Sequence, residues 1–138
     1  MGIYIPTEVR QIVYDRAHGR CEYCLIPDFA VLAAHEIDHI VPQKHGGPTK
    51  LENLALSCAL CNKHKGSDLA SLDEITDNIV GLYNPRRNFW NDHFQLSGSQ
   101  IMPLTPIGRV TVRLLQFNII NRLEERELLI VAGVFQVS

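Results

Sequence analysis

The spacing of apolar and polar residues predicts a helix at the start of the chain and a strand soon after it. Apolar side chains between Val9 and Ala17 recur at helical spacing, Thr7 can cap the segment, and Gly19 has a backbone that permits a stop. Residues 29–37 are rich in aliphatic side chains, which predicts a strand. The N-terminal part of the chain therefore mixes helix and strand.

A loop, a second strand and a short helix are predicted next. Prolines and glycines between positions 42 and 48 predict the loop, because both residue types interrupt regular structure. Leu54 to Ser57 is a short apolar run typical of a strand, and residues 59–65 show a helical pattern closed by Gly66. The predicted order is strand, loop, strand, helix.

The pattern of the C-terminal half predicts a helix followed by a hairpin. Ser71 and Glu74 form a capping box in front of apolar residues at helical spacing, so we expect a helix over 71–82. Two strand-like runs, 93–96 and 100–104, flank a Ser-Gly-Ser tripeptide and predict the hairpin.

The end of the chain is helical by pattern. Thr105-Pro106 combines an N-cap with a first-turn proline, which predicts a helix that runs to about residue 120. Residues 121–132 again repeat at helical spacing, either as a separate helix or as a continuation. The elements together predict an α+β fold.

All four cysteines of the chain fall into two Cys-x-x-Cys pairs. Cys21 and Cys24 form the first pair and Cys58 and Cys61 the second, so that residues 25–57 lie between them. Each pair places two thiolates on one tight turn, and two pairs supply the tetrahedral sulfur shell of a structural zinc. We therefore expect one Zn²⁺ bound by all four side chains.

Two other uses of paired cysteines fit this sequence less well. Disulfides need an oxidising compartment, and the N-terminus lacks the basic start and long apolar core of a secretory signal, which favours a cytoplasmic protein. A dithiol redox centre has one Cys-x-x-Cys beside a βαβ pattern, and this sequence has two matched pairs without that pattern.

Composition and charge exclude further classes. With 46% hydrophobic and 20% charged residues, the 138-residue chain is typical of a soluble globular protein, and its longest apolar stretch, 128–135, is too short to cross a bilayer. The net charge of −2 argues against a protein that coats nucleic acid through bulk positive charge. Any contact with a polyanion must come from local clusters.

Three polar side chains near the cysteine pairs have the chemistry of a metal-assisted hydrolase. Asp38 offers a carboxylate for a hard cation, His39 an imidazole that can take a proton near neutral pH, and Asn62 an amide oxygen. Taken singly, each is explained as well by a solvated strand end or a helix-start cap. Their order and their position beside the cysteines favour the hydrolase.

Four motifs lie between and beside the cysteine pairs: Glu36-Ile-Asp-His-Ile-Val-Pro42, His45-Gly-Gly47, Glu52-Asn-Leu-Ala-Leu-Ser-Cys58 and Cys61-Asn-Lys-His-Lys-Gly66. Together they resemble the HNH endonuclease family from Cys21 to about Ser67. The three motif positions are filled by His39, Asn53 and Asn62, the last being Asn where the family name has His.

The resemblance over 21–67, the predicted elements on either side and the length of the chain together give a domain plan. The resemblance implies a small ββα-metal nuclease core over 21–67, stapled by the four-cysteine zinc site. An N-terminal helix precedes this core, and an extension of helices and a hairpin follows it over 68–138. We expect residues 1–138 to form a single domain.

The resemblance also implies a role for each polar residue. His39 is the expected general base that deprotonates water attacking the scissile phosphorus. Asp38 and Asn62 are expected to hold one Mg²⁺, with Mn²⁺ or Ni²⁺ as alternatives. Asn53 is expected to support the site by bonding backbone groups of the loop.

The implied substrate is DNA, expected as a duplex cut with little sequence preference. Side chains near the motifs are expected to contact its phosphates: Lys65, Arg86, Arg87 and His45. Two non-catalytic alternatives stay open at this point. One is a zinc-knuckle module that binds nucleic acid without cutting it, and the other is an interaction domain whose zinc only supports folding.

Overall fold

The structure, a computed structural model, describes residues 4–137, and within them helices and short antiparallel strand pairs alternate. The α+β prediction is therefore confirmed. In chain order the elements are α1 (Thr7–Arg16), β1 (Glu36–His39), β2 (Leu54–Ser57), α2 (Ala59–Lys65), β3 (Ala70–Asp73), β4 (Asn78–Gly81), α3 (Trp90–His93), β5 (Phe94–Ser97), β6 (Gln100–Pro103), α4 (Pro106–Leu114) and α5 (Ile120–Val131).

Strands β1 and β2 and helix α2 form one compact unit. The two strands pair antiparallel, with Glu36 opposite Ser57 and His39 opposite Leu54. All four residues of β2 are buried because α1 covers it on one side. Both β2 and α2 have the predicted bounds, and Gly66 ends α2 with a φ of +52°.

The first strand is shorter than predicted. Residues 29–37 were expected to be extended, but Asp28–Ala30 form a 3₁₀ turn and β1 begins only at Glu36. The Asp28 carboxylate accepts a bond from the His35 backbone N–H, which closes the intervening residues into a loop. Because β2 offers only four residues to pair with, the aliphatic run before β1 has no strand partner.

Helix α1 is present, but Thr7 is not its cap. Pro6 occupies the N-cap position and Thr7 is the first helical residue. The helix ends at Arg16, and His18 and Gly19 both take positive φ values directly after it, as the stop signal predicts.

The predicted helix over 71–82 is wrong, because this segment forms the β3–β4 hairpin. Asp73 accepts bonds from the Thr76 backbone N–H and hydroxyl, and Asp77 adopts a φ of +62° that turns the chain back. Arg109 of α4 donates two hydrogen bonds, of 2.8 and 2.9 Å, to the same carboxylate. Tertiary contacts to Asp73 therefore override the local capping-box signal.

The remaining C-terminal elements follow the prediction more closely. The hairpin is present: β5 lies one residue later than predicted, and β6 begins at the predicted residue and ends one residue earlier. Thr105 caps α4 through its hydroxyl, which accepts from the Gly108 N–H. Helix α4 ends at Leu114 instead of residue 120. Gln116 has a φ of +52°, and Asn118 bonds both backbone groups of Ile101 on β6, so α5 starts as a separate helix.

The main apolar core joins the cysteine-bearing segment to the C-terminal half. Its members from the C-terminal half are Tyr83, Trp90, Phe94, Ile101, Leu115 and Phe117, and they pack with the buried residues around the first cysteine pair. The Trp90 indole N–H donates a 2.8 Å bond to the Tyr23 carbonyl oxygen, within that first pair. No helix among residues 4–137 is long and apolar enough to span a bilayer.

Candidate nuclease and zinc site

The four cysteine sulfurs form a buried cluster in which all Sγ atoms lie within 4.8 Å of one another. Cys24 Sγ and Cys58 Sγ are 3.7 Å apart, far longer than the ~2.05 Å of a disulfide. Four sulfurs around zinc, each at about 2.3 Å, would be separated by about 3.8 Å. Spacing and donor chemistry therefore both fit a structural zinc.

Each cysteine pair has the local geometry of a zinc knuckle. The Cys24 backbone N–H points to Cys21 Sγ, and the Cys61 N–H points to Cys58 Sγ, both at 3.4 Å. Burial and the neighbouring sulfurs raise the pKa of the Cys21 and Cys61 thiols. A zinc ion that binds here must therefore displace protons from them.

Arg122 of α5 contacts the cysteine cluster from the far end of the chain. Its guanidinium is 3.1 Å from Cys61 Sγ and 3.8 Å from Cys58 Sγ, and the side chain is only 4% exposed. Burial alone would lower the pKa of Arg122, but the surrounding thiolates raise it overall. A zinc ion with four thiolates has a net charge of −2, and Arg122 offsets half of it.

Asp38 lies inside the β1–β2–α2 unit and is 4% exposed. Its Oδ2 accepts a 2.7 Å bond from the Tyr23 hydroxyl, and the Lys65 ammonium lies 3.2 Å from each carboxylate oxygen. Burial raises the pKa of Asp38, and Lys65 and Tyr23 offset part of that rise. The predicted metal ligand is thus held by two donors.

The position of Lys65 differs from the one expected of a phosphate contact. Its side chain is 2% exposed, and besides Asp38 its ammonium donates a 3.1 Å bond to the His39 carbonyl oxygen. A buried ammonium in this arrangement cannot reach a phosphate on the surface. The sequence analysis did not predict this orientation, although the spacing could have indicated it, because Lys65 follows Cys61 by four residues and so shares its helix face.

Asn62 is half-buried in the middle of α2, and its side chain bonds the first residue of β1. Its amide nitrogen donates a 2.9 Å bond to Glu36 Oε1. Glu36 is an exposed residue two positions before Asp38, so both carboxylates leave β1 on the same face. The sequence analysis missed Glu36, although this same spacing in the strand could have indicated it.

His39 lies at the end of β1 and is half-buried. Its Nε2 is 2.8 Å from the Thr49 hydroxyl, and which atom donates depends on the imidazole tautomer. Thr49 belongs to the loop between β1 and β2. The loop therefore fixes the ring orientation.

Asn53 ties that loop to the end of β1. Its amide nitrogen donates to the carbonyl oxygens of Val41 and Pro48, and its oxygen accepts from the Val41 N–H. Only glycine fits at position 47 next to Asn53, because a Cβ there would lie 1.7 Å from the Val41 carbonyl oxygen. Asn53 thus bonds the loop backbone, and its supporting role at the site stays a prediction.

The other expected phosphate contacts are spread over the surface. Arg86 forms an ion pair with Glu22 beside the first knuckle, whereas Arg87 is exposed. His45 is exposed in the loop, with Nε2 3.0 Å from the Ser67 carbonyl oxygen. The structure brings Asp38, His39 and Lys65 into direct contact. Arg86 instead pairs with Glu22 between the cysteines of the first pair.

Strand pair, loop, helix and cysteine cluster together have the arrangement that the motifs indicate. Residues 21–68 match the HNH endonuclease family model. This match confirms the resemblance over 48 of the 138 residues, roughly a third of the chain. No match was found among curated proteins or among solved structures. The HNH segment, residues 21–68, therefore points to nuclease-type chemistry on nucleic acid.

Proposed function

We propose that the HNH segment is a metal-dependent endonuclease that hydrolyses phosphodiester bonds of DNA. The observation that supports this most strongly is that β1, which carries Asp38 and His39, is bonded to α2, which carries Asn62, through the Lys65 ammonium. Each side chain is fixed by a different partner, so the set is ordered before substrate binds. Preorganised groups of this kind favour catalysis because they need little rearrangement.

The oxygen donors of Asp38 and Asn62 suit a hard cation, and Mg²⁺ is the proposed ion, with Mn²⁺ or Ni²⁺ as alternatives. When bound, such an ion polarises the phosphate and stabilises the leaving oxygen. Lys65 already bridges the two oxygens of Asp38, so the ammonium must move aside or share the carboxylate when a cation arrives.

His39 is the proposed general base. Its imidazole lies at the end of β1, where the strand gives way to the loop, and the Thr49 contact leaves the other ring nitrogen for attacking water. Asn53 keeps the following residues in place through its three backbone bonds. We assign Asn53 a supporting role because its bonds are to the backbone of the loop.

Duplex DNA is the proposed substrate, bound through few contacts because the net charge of the chain is −2. Arg87 and His45 are exposed and remain the proposed phosphate contacts, with Arg86 contributing if Glu22 releases it. Lys65 acts instead on the Asp38 carboxylate in this proposal.

The Asp38–Lys65 pair also supports a second candidate function. If the ammonium never leaves, the carboxylate is closed to a cation and the HNH segment becomes a zinc-knuckle module that binds nucleic acid without cutting it. The two functions differ in one measurable property, which is cleavage.

Cleavage of supercoiled plasmid with and without Mg²⁺ tests the proposal. We expect wild type to cut, and His39→Ala to cut roughly 10²–10⁴-fold more slowly while retaining zinc and DNA affinity. His64→Ala on α2 is the matched control and should cut at the wild-type rate. Wild type that binds DNA but cuts nothing with Mg²⁺, Mn²⁺ or Ni²⁺ would establish the binding module instead.

A further inference from the structure

Glu36 is an exposed carboxylate that neither the motif positions nor the expected ligand set includes. It opens β1 and accepts the 2.9 Å bond from the Asn62 amide nitrogen. Asn62 comes from α2, so this bond joins the first strand of the HNH segment to its helix. An exposed pair needs a reason to keep this geometry, because water competes for both groups.

The backbone of Asn62 is fixed by the second zinc knuckle. Its N–H donates a 2.9 Å bond to the Cys58 carbonyl oxygen, and its own carbonyl accepts from the Gly66 N–H at 3.0 Å. Only the side-chain torsions remain free to choose where the amide oxygen points. The bond to Glu36 removes that freedom.

The chemistry of the pair decides which end of the amide faces Glu36. An ionised carboxylate has only acceptor atoms, so the Asn62 nitrogen must face it. The amide oxygen is thereby turned away from Glu36. An oxygen is the end of the amide that can ligate a hard cation, whereas the nitrogen cannot.

We propose that Glu36 is a positioning residue, which orients Asn62 so that its amide oxygen is presented to the catalytic cation. This inference rests on the proposed function, because it concerns the same metal site. Glu36 acts through Asn62 and does not itself ligate the ion. Partners of this kind typically change metal affinity about 10–100-fold when they are removed.

The test measures Mn²⁺ affinity by electron paramagnetic resonance on the zinc-loaded full chain. We expect Glu36→Ala to weaken Mn²⁺ binding about 10–100-fold. Asn62→Ala should weaken it at least as much, and the double variant should match Asn62→Ala alone. Glu52→Gln removes another exposed carboxylate of the segment and should leave the affinity unchanged.

A conservative variant separates positioning from direct ligation. Glu36→Gln retains an acceptor oxygen for the Asn62 amide nitrogen but also adds a donor that permits the reversed amide, so it should keep part of the affinity that Glu36→Ala loses. Additive losses in the double variant, or a loss in Glu36→Gln equal to that in Glu36→Ala, would show that Glu36 ligates the ion and overturn the inference.

The same experiment distinguishes this inference from the proposed function. Suppose that the wild-type protein binds Mn²⁺ and that Asn62→Ala weakens this binding. If Glu36→Ala then binds Mn²⁺ as tightly as the wild type does, the role of Glu36 is overturned and the proposed function is not. A wild type that binds no Mn²⁺ overturns both. Zinc content and circular dichroism check that each variant is folded.

Discussion

The HNH segment and the residues that follow it, 69–137, are stabilised in different ways. The HNH segment buries a sulfur cluster and an ion pair between Asp38 and Lys65. The following residues bury a largely apolar core that includes Phe94 and Phe117. The first region is stabilised by cysteines and charged residues at fixed sequence spacings, and the second by packing of apolar side chains.

The two regions are nevertheless joined at the four-cysteine cluster. Arg122 reaches the thiolates from α5, Arg86 pairs with Glu22 in the first knuckle, and the Trp90 indole bonds the backbone of Tyr23. The residues of the HNH segment therefore do not by themselves bury and neutralise its cysteine cluster. The region that follows supplies both charge compensation and apolar cover for its cysteines.

The largest contrast between the regions should appear when zinc is removed. Structural zinc contributes about 10–16 kcal/mol of binding free energy in small zinc-dependent peptides, so Cys58→Ser or a strong chelator should unfold the HNH segment. We expect the melting temperature, measured by circular dichroism, to fall strongly.

Ser97→Ala, an exposed substitution on β5, is the control for the cysteine variant. Elemental analysis should give one zinc per chain for wild type and the control. An unchanged melting curve in chelator, with four freely reactive thiols, would contradict the zinc assignment.

The buried ion pair should have the next largest effect. Lys65→Met leaves the Asp38 carboxylate buried without its cation, which typically costs about 3–5 kcal/mol of unfolding free energy. Lys63→Met, on the exposed side of the same helix, should stay within about 0.5 kcal/mol of wild type. Urea denaturation of both variants measures the difference.

Adding Asp38→Asn to Lys65→Met sharpens this result. Since the double variant removes the unpaired charge, it should recover part of the lost stability. Equal urea midpoints for Lys65→Met and Lys63→Met would show that the pair contributes little and that Asp38 is freely hydrated.

The smallest effect should come from the β3–β4 hairpin and should depend on pH. Two bonds from Arg109 and those from Thr76 lower the pKa of Asp73 below its usual range. A lowered folded-state pKa stabilises the fold above the unfolded-state value of about 3.9, and this contribution is lost as pH falls through the folded-state pKa.

Asp73→Asn should therefore be less stable than wild type near neutral pH, and the two should converge in acid. Urea midpoints measured from pH 7 downward test this expectation. Asp77→Asn is the control, because Asn tolerates the positive φ of this turn and the residue is exposed. A difference between wild type and Asp73→Asn that stays constant with pH would contradict the role given to Arg109.

Sequence reasoning succeeded where a function demands fixed spacing. Four sulfurs must surround one ion, so the two Cys-x-x-Cys pairs predicted the cluster and the turn at each pair. The bounds of β2 and α2 followed, because the second pair lies directly between them. The family match agrees with motifs of the same kind.

The sequence could not predict contacts between elements that are distant along the chain. The capping box at Ser71 favoured a helix, whereas the bonds from Arg109, 36 residues after Asp73, help to hold the segment as a hairpin. The contact of Arg122 with the cysteines depends on how α5 packs against the HNH segment, and residue spacing along the chain does not indicate it. The inward orientation of Lys65 could have been predicted, because Lys65 lies four residues after Cys61 on the same helix face.

The bond between Trp90 and the first zinc knuckle has an optical consequence. The chain contains a single tryptophan, and its indole N–H bonds the backbone of Tyr23 between Cys21 and Cys24. The wavelength of indole emission depends on how hydrated the ring is. Unfolding of the first cysteine pair should therefore shift the emission of Trp90 toward that of a solvated indole. We therefore expect the intrinsic fluorescence of the unlabelled protein to change when zinc is added to or removed from the cysteine cluster.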